Sequence, residues 1–283
     1  MTMRAKSSWP HFSDQGWFWM HSLTRHVRFS VNPFLAEDSG GSNSFSSKPC
    51  GEGLAVFLEL CVELVGDVDG ETGFVVNVVD IDREVRGSAA PVFAERIRAE
   101  FAAGRHIALG MMAELLSAAW GKLASKFGRA KLNGLGVKLN PYRKLSIESE
   151  DGAMVYFSEK FEFAATHKLW NDDFSDERNF EVFGKCANPA GHGHNYVVEV
   201  AVKTDSGEEV CIGDFERIVD DELIKVVDHK NLNVDVEEFG RTNPTVENIA
   251  VFAWERLNGK FAEAKLHCIT VWETDKTCCS YYG

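Results

Sequence analysis

Cys186 stands ahead of a His-Gly-His with five residues between them, in the stretch GKCANPAGHGHNY from Gly184 to Tyr196. Residues two apart on a strand share a face, so His192 and His194 point the same way and Gly193 leaves room between them. Two neutral imidazoles so placed make a two-point metal grip; the plainer alternative is a pair of surface histidines beside a tight turn. A third histidine tips the balance. His167 ends the strand-like run MVYFSEKFEFAATH, in phase with Phe161, Phe163 and Ala165. If the two runs pair as a hairpin, its ring reaches the other two. Three histidines with a fourth position open is the arrangement of a catalytic zinc ion rather than a closed structural one.

Other groups could work beside such a centre. Cys186 lies in a loop with Asn188, Pro189 and Gly191. A nearby cation would lower its thiol pKa and make it a base or nucleophile. It could equally be a fourth metal ligand, or a small buried side chain. VVDHKNLN supplies Asp228 beside His229, where a carboxylate can set the imidazole tautomer or accept its proton. Adjacent Asp-His pairs are also common by chance. Glu273, in TVWETD, is placed near a strand end, where one carboxylate can accept two N–H bonds from a guanidine-like amide edge. The bland alternative is a solvent-facing strand glutamate.

The elements that must position these groups occur twice. In the second half, MVYFSEKFEFAATH and HNYVVEVAVK read as strands. DFERIVDDELIKVV and PTVENIAVFAWERL read as helices, the latter capped by Asn243 with Pro244 at its first position. KLHCITVWET and TCCSYYG read as a closing hairpin. The first half has the same order: WFWMHSLTRHVRFSV, LAVFLELCVELVG and GFVVNVV as strands, PVFAERIRAEF and ALGMMAELLSAAWGKLASKF as helices, then NGLGVKLNP and KLSIE. Phe29 and Phe163 are 134 residues apart, as are Trp120 and Trp254. A repeat of that length is a duplicated domain, not a solenoid. The boundary is expected in SEDG, Ser149 to Gly152, giving domains 1–150 and 151–283. The first contains a low-complexity loop, EDSGGSNSFSSKPCGEG.

Bulk composition narrows the function classes. The chain has 283 residues, 45% hydrophobic and 26% charged, enough for a sizeable core. A net charge of −13 argues against non-specific binding to nucleic acid or anionic membranes. No apolar run approaches the ~18 residues of a membrane span. The first 26 residues lack a continuous apolar segment and a small-residue cleavage site, so no leader is expected. Seven cysteines without disulfide-like spacing fit reduced thiols in a cytoplasmic protein.

FAATHKLW, FSDERNFEVFGKCANPAGHGHNY, DHKNLN, PTVENIAVFAWERL and VWETD, together and in that order, resemble the 6-pyruvoyltetrahydropterin synthase family over roughly residues 155–283. The resemblance implies an α+β T-fold (ββααββ): antiparallel sheets with helices on one face, closing into an oligomeric barrel. It implies zinc on His167, His192 and His194, a catalytic Cys186, an acid/base dyad of Asp228 and His229, and Glu273 as pterin anchor. Thr245 and Glu247 match positions beside the pterin pocket. The implied substrate is 7,8-dihydroneopterin triphosphate, and no redox cofactor is needed.

The five-residue spacing after Cys186 resembles the biopterin branch of the family rather than the queuosine-pathway 6-carboxytetrahydropterin synthases, where three is typical. That second activity on the same substrate is the alternative; a zinc-containing scaffold without turnover is a third. The first half resembles the family only faintly. Aligned on Gly66, its HxH falls at Leu54 and Val56. Pro33 stands near the place of His167, Asn140 near that of Glu273, and Cys50 has no metal grip beside it. It reads as a non-catalytic copy, and GWFWM, His11, His21 and His26 as interface or core. A family barrel of three T-folds, doubled, leads to an expected homotrimer with the active halves in one ring and the silent halves in the other. The competing arrangement puts both halves side by side in one ring.

Overall fold

The computed structural model describes residues 21–34, 55–148, 154–205 and 210–283. Along the first half run β1 (His21–Val31), β2 (Val56–Gly66), α1 (Val78–Glu84), α2 (Ala90–Ala102), α3 (Leu109–Leu123), β3 (Lys131–Lys138) and β4 (Arg143–Glu148). The second half runs β5 (Met154–His167), α4 (Asp176–Phe183), β6 (His192–Asp205), α5 (Ile212–Val219), α6 (Lys225–Val227), β7 (Lys230–Asn231), α7 (Leu232–Asp235), α8 (Val246–Leu257), β8 (Lys265–Thr274) and β9 (Thr277–Tyr281). The strands form one sheet in the order β1-β2-β3-β4-β5-β6-β8-β9, with the short β7 lying parallel to the far end of β5. All other pairings are antiparallel.

Period-two patterning sets which face is covered. Along β6, Tyr196, Val198, Val200 and Val202 are buried in a core shared with Ile249, Ala250 and Leu257 of α8. In the first half Leu58, Leu60, Val62 and Leu64 of β2 pack with Phe93, Ile97 and Leu116 of α2 and α3. The intervening residues, among them Glu59, Cys61, Lys160 and Glu199, occupy the other face. Each half also carries one π-helical turn, Val85–Ala89 between α1 and α2 and Asp220–Ile224 between α5 and α6.

Several expectations are corrected. GFVVNVV is not a strand: Asn77 caps α1 there by accepting from the Val79 amide, and a local Asx cap outcompetes the β-branched run. The cap of α8 is Thr245, whose hydroxyl accepts from the Asn248 amide; Asn243 instead accepts from the Trp170 amide. The expected stacking of the two halves in separate rings gains no support from the chain's own sheet. Arg143 to Ser146 of β4 pair with Glu159 to Tyr156 of β5, so the halves lie side by side in one sheet. The expected boundary, the low-complexity loop, GWFWM, His11, Cys50 and Leu54 lie outside the described residues.

Candidate active site

The site forms at the far end of β5 and β6. His167 pairs with His192, and His194 faces Ala165, whose methyl leaves space for an imidazole. The turn that brings the chain back depends on Gly191. Its φ is +71°, and a Cβ there would stand 3.0 Å from the His167 carbonyl oxygen. Asn188 closes the same turn, its carbonyl accepting from the Gly191 amide at 2.8 Å and its side chain from the Ala190 amide at 3.0 Å.

The ligand atoms of His167, His192 and His194 all lie within 4.8 Å of one another. Tetrahedral nitrogens at ~2.05 Å from a zinc ion would stand ~3.3 Å apart, so the cluster is near that size. His167 is buried, and its Nδ1 donates to the Pro244 carbonyl at 2.7 Å, which fixes the tautomer and aims the Nε2 lone pair at its two neighbours. Its Nε2 lies 3.0 Å from Nε2 of His192. Burial pushes His167 and His192 below the ordinary histidine value, toward the neutral form a metal requires. Nε2 of His194 and Nδ1 of His192 are buried without a hydrogen-bond partner. Orphaned nitrogens, neutral rings and a carbonyl-locked tautomer fit a bound zinc ion.

Glu273 leans on this cluster, its Oε1 lying 3.4 Å from Nε2 of His167 and 3.6 Å from Nε2 of His194. Cys186 sits in the 3₁₀ turn Gly184–Ala187 that follows α4. Its carbonyl accepts from the Leu169 amide just beyond β5, which ties the turn to the histidines. With Phe180, Lys185, Asn188, Pro189 and His192 it lines an open depression of about 810 Å³. Burial and the Glu273 carboxylate push its thiol up, so a lowered thiol pKa would have to come from a bound cation.

Asp228 and His229 are elsewhere. Asp228 accepts from the Ala164 amide at 2.9 Å, and its other oxygen lies 2.8 Å from His229 Nδ1. The Ala164 bond, then the His229 bond, holds its carboxyl below the usual range. His229 adopts φ +55°, in a non-glycine residue, and its amide donates to the Ala164 carbonyl. This dyad precedes β7, on the edge of β5 opposite β6, and the His229 ring is 82% exposed. The structure therefore groups His167, His192, His194, Glu273 and Cys186 and leaves the dyad across β5. Thr245 acts locally as the helix cap beside Pro244, and Glu247 lies in the first turn of α8.

Sequence reasoning missed two positions. Pro244 matters through its carbonyl, which residue type does not announce. Tyr196 is fully buried between Phe163 and the imidazoles, its hydroxyl without a partner. Burial first, then the nearby Glu273 and Cys186, push its phenol up. The signal available was the NY that follows the HxH.

In the first half, Val31 pairs with Val56 where Ala165 pairs with His194, and Pro33 follows at the place of His167. On β3 the register puts Leu139, one residue before Asn140, at the place of Glu273. Asn140 instead closes the β3–β4 hairpin by accepting from the Tyr142 and Arg143 amides.

A sequence model described as 6-pyruvoyl tetrahydropterin synthase matches residues 156–283. The human 6-pyruvoyl tetrahydrobiopterin synthase is 37% identical over 130 residues, which span 44% of this chain and 90% of the human protein. The 6-carboxy-5,6,7,8-tetrahydropterin synthase of Aquifex aeolicus is 28% identical over 150 residues, 41% of this chain and 91% of its own. Among solved structures, the 6-pyruvoyl tetrahydropterin synthase of Caenorhabditis elegans is 34% identical, covering 46% of this chain and 96% of that one with a TM-score of 0.43.

Proposed function

Because the chain belongs to the 6-pyruvoyl tetrahydropterin synthase family, we propose that residues 151–283 are its catalytic domain, a zinc-dependent lyase that converts 7,8-dihydroneopterin triphosphate to 6-pyruvoyltetrahydropterin with loss of triphosphate, and that residues 1–150 are a non-catalytic copy. The observation that carries this reading is the three-histidine cluster with its carbonyl-locked His167, set beside Cys186. A bound zinc ion would supply Lewis-acid polarisation of the substrate's side-chain hydroxyls.

The chain's own residues do the rest. His167, His192 and His194 hold the metal as neutral ligands. Cys186, at the wall of the depression, takes a proton from the side-chain carbon as thiolate. Glu273 accepts the paired N–H groups of the pterin edge, leaving its resting place against the histidines to do so. Asp228 holds His229 by Nδ1 and leaves Nε2 to carry protons. Thr245 and Glu247 border the pterin pocket from the start of α8. The oxidation of the side chain balances the reduction of the ring.

The exposed dyad suits a site completed by a second surface. Among the described strands β1 and β9 each pair on one side only, and open edges call for a partner. We read the protein as a homo-oligomer in which β9 of one copy meets β1 of the next, both halves alternating in one ring. Light scattering at twice 31.5 kDa supports the two-chain ring, three times that mass returns the trimer, and a monomer excludes both.

The test of function is chromatography of the products formed from 7,8-dihydroneopterin triphosphate. 6-Pyruvoyltetrahydropterin is expected. 6-Carboxytetrahydropterin would move the chain to the activity of the Aquifex relative, and no turnover with metal bound would make it a scaffold.

A further inference from the structure

The first half, whose described residues hold no three-residue metal grip, carries another constellation on the sheet face away from the helices. His26 of β1 stands opposite Cys61 of β2, and Arg28 opposite Glu59. Cys61 Sγ lies 3.8 Å from His26 Nε2, and His26 Nδ1 lies 2.9 Å from Glu59 Oε1. Glu59 is buried, which pushes its carboxyl up, but Lys138, Arg28 and His26 outweigh burial and hold it down at about 2. A carboxylate held ionised can only accept, so His26 Nδ1 carries the hydrogen, and in the neutral ring this leaves the Nε2 lone pair toward the thiol. Nucleophile, base and orienting carboxylate are thus in line.

The other side of Cys61 is also built. Its neighbour on β3 is Gly136. A Cβ at Gly136 would stand 2.9 Å from Cε of Lys144, so the Lys144 stem crosses the gap that this glycine leaves. Burial pushes the Cys61 thiol up, whereas Lys144 and Lys138 pull it down, and Glu63 and Glu59 oppose them. At rest the sulfur keeps its proton, and the imidazole removes it as a bond forms. The repeat does not explain this cluster. The matching place in the second half holds Lys160 opposite Glu199, a surface ion pair at 4.0 Å.

We propose that Cys61 is a reactive thiol that undergoes exchange with small anionic disulfides, His26 acting as its base, Glu59 as the residue that positions His26, and Lys144 as the group that favours an anionic reagent. The Cys61 proton passes to His26 Nε2, and Sγ forms a bond to one sulfur of the reagent as the reagent's S–S bond breaks. The leaving sulfur takes the electron pair and the proton from His26. Cys61 is oxidised to a mixed disulfide and the reagent is reduced to a thiol.

The test treats the native full-length protein at pH 7 with limiting 5,5′-dithiobis(2-nitrobenzoate) and locates the modified cysteines by peptide mass spectrometry. Cys211 and Cys278, both exposed, are internal references. Cys61 is expected to react at least about tenfold faster than either, because a positioned base outweighs its burial. His26→Gln is expected to remove that advantage, Lys144→Gln to reduce it, and cationic cystamine to show none. Cys61 reacting no faster than the references overturns the proposal without any variant. A His26→Gln protein with undiminished Cys61 reactivity, or equal preference for cystamine, overturns the assigned base or the anionic class.

Discussion

The two halves share four long antiparallel strands, paired helices and even a π-helical turn after the second strand, yet they differ at the far end of the first hairpin. There β5 and β6 present Ala165 opposite His194 and His167 opposite His192; β1 and β2 present Val31 opposite Val56, with Pro33 following. Both ends are well packed, with Val31 and His167 each 1% exposed. The fold therefore does not need the histidines, and the histidines need more than the fold. A Pro244 carbonyl locks one tautomer, a glycine at positive φ closes the turn, and an alanine makes room. The two side-chain clusters also fall on opposite faces, the three histidines beside the helices and Cys61 with His26 on the face away from them.

The largest effect expected from breaking this contrast is in the second half. His192→Ala with His194→Ala should remove the bound metal and reduce product formation to background, with the strands retained by circular dichroism. Metal retained at the wild-type level would refute the ligand set. Cys186→Ala should keep the metal and lower turnover by a factor on the order of 10², the scale of a lost general base; loss of metal instead would make the cysteine a ligand.

Tyr196→Phe should separate stability from activity. A buried hydroxyl without a partner costs about 1–3 kcal/mol, so the variant should melt at the same or a higher temperature, while kcat/KM falls about tenfold if the phenol serves bound substrate. A lower melting temperature would show that the hydroxyl is satisfied in the folded protein. Thr245→Ala should cost about 1 kcal/mol in thermal denaturation by loss of the α8 cap.

The smallest effect concerns acid. Glu59 has a folded pKa depressed to about 2 from 4.5. Its contribution is full above the unfolded value and is lost as pH falls from about 4.5 toward 2. Glu59→Gln should thus destabilise the protein at neutral pH and converge on the wild type below about pH 2. A constant difference across that range would contradict the ionised-carboxylate reading.

Much of this was legible in the sequence because it rests on period. The run from Met154 to His167 became a single strand, and the HxH spacing placed both rings on the face of Tyr196 and Val198. Phe29 and Phe163, 134 residues apart, are both buried in the first described strand of their half. What was not legible depends on main-chain groups and on competition. The Pro244 carbonyl has no side-chain signature. The GFVVNVV run looks extended until Asn77 caps a helix from within it. The side-by-side halves follow from β4 pairing with β5, a choice of edge that composition does not encode. Nor did the alternation along β1 and β2 mark His26, Glu59 and Cys61 as a group, since their proximity is set by cross-strand register.

The central claim is that metal chemistry is confined to the second half. Elemental analysis of the purified full-length chain tests it most directly. One zinc per chain, lost on His192→Ala with His194→Ala, is the predicted result; two zinc ions per chain would contradict it, because no second three-histidine grip exists among the described residues of the first half.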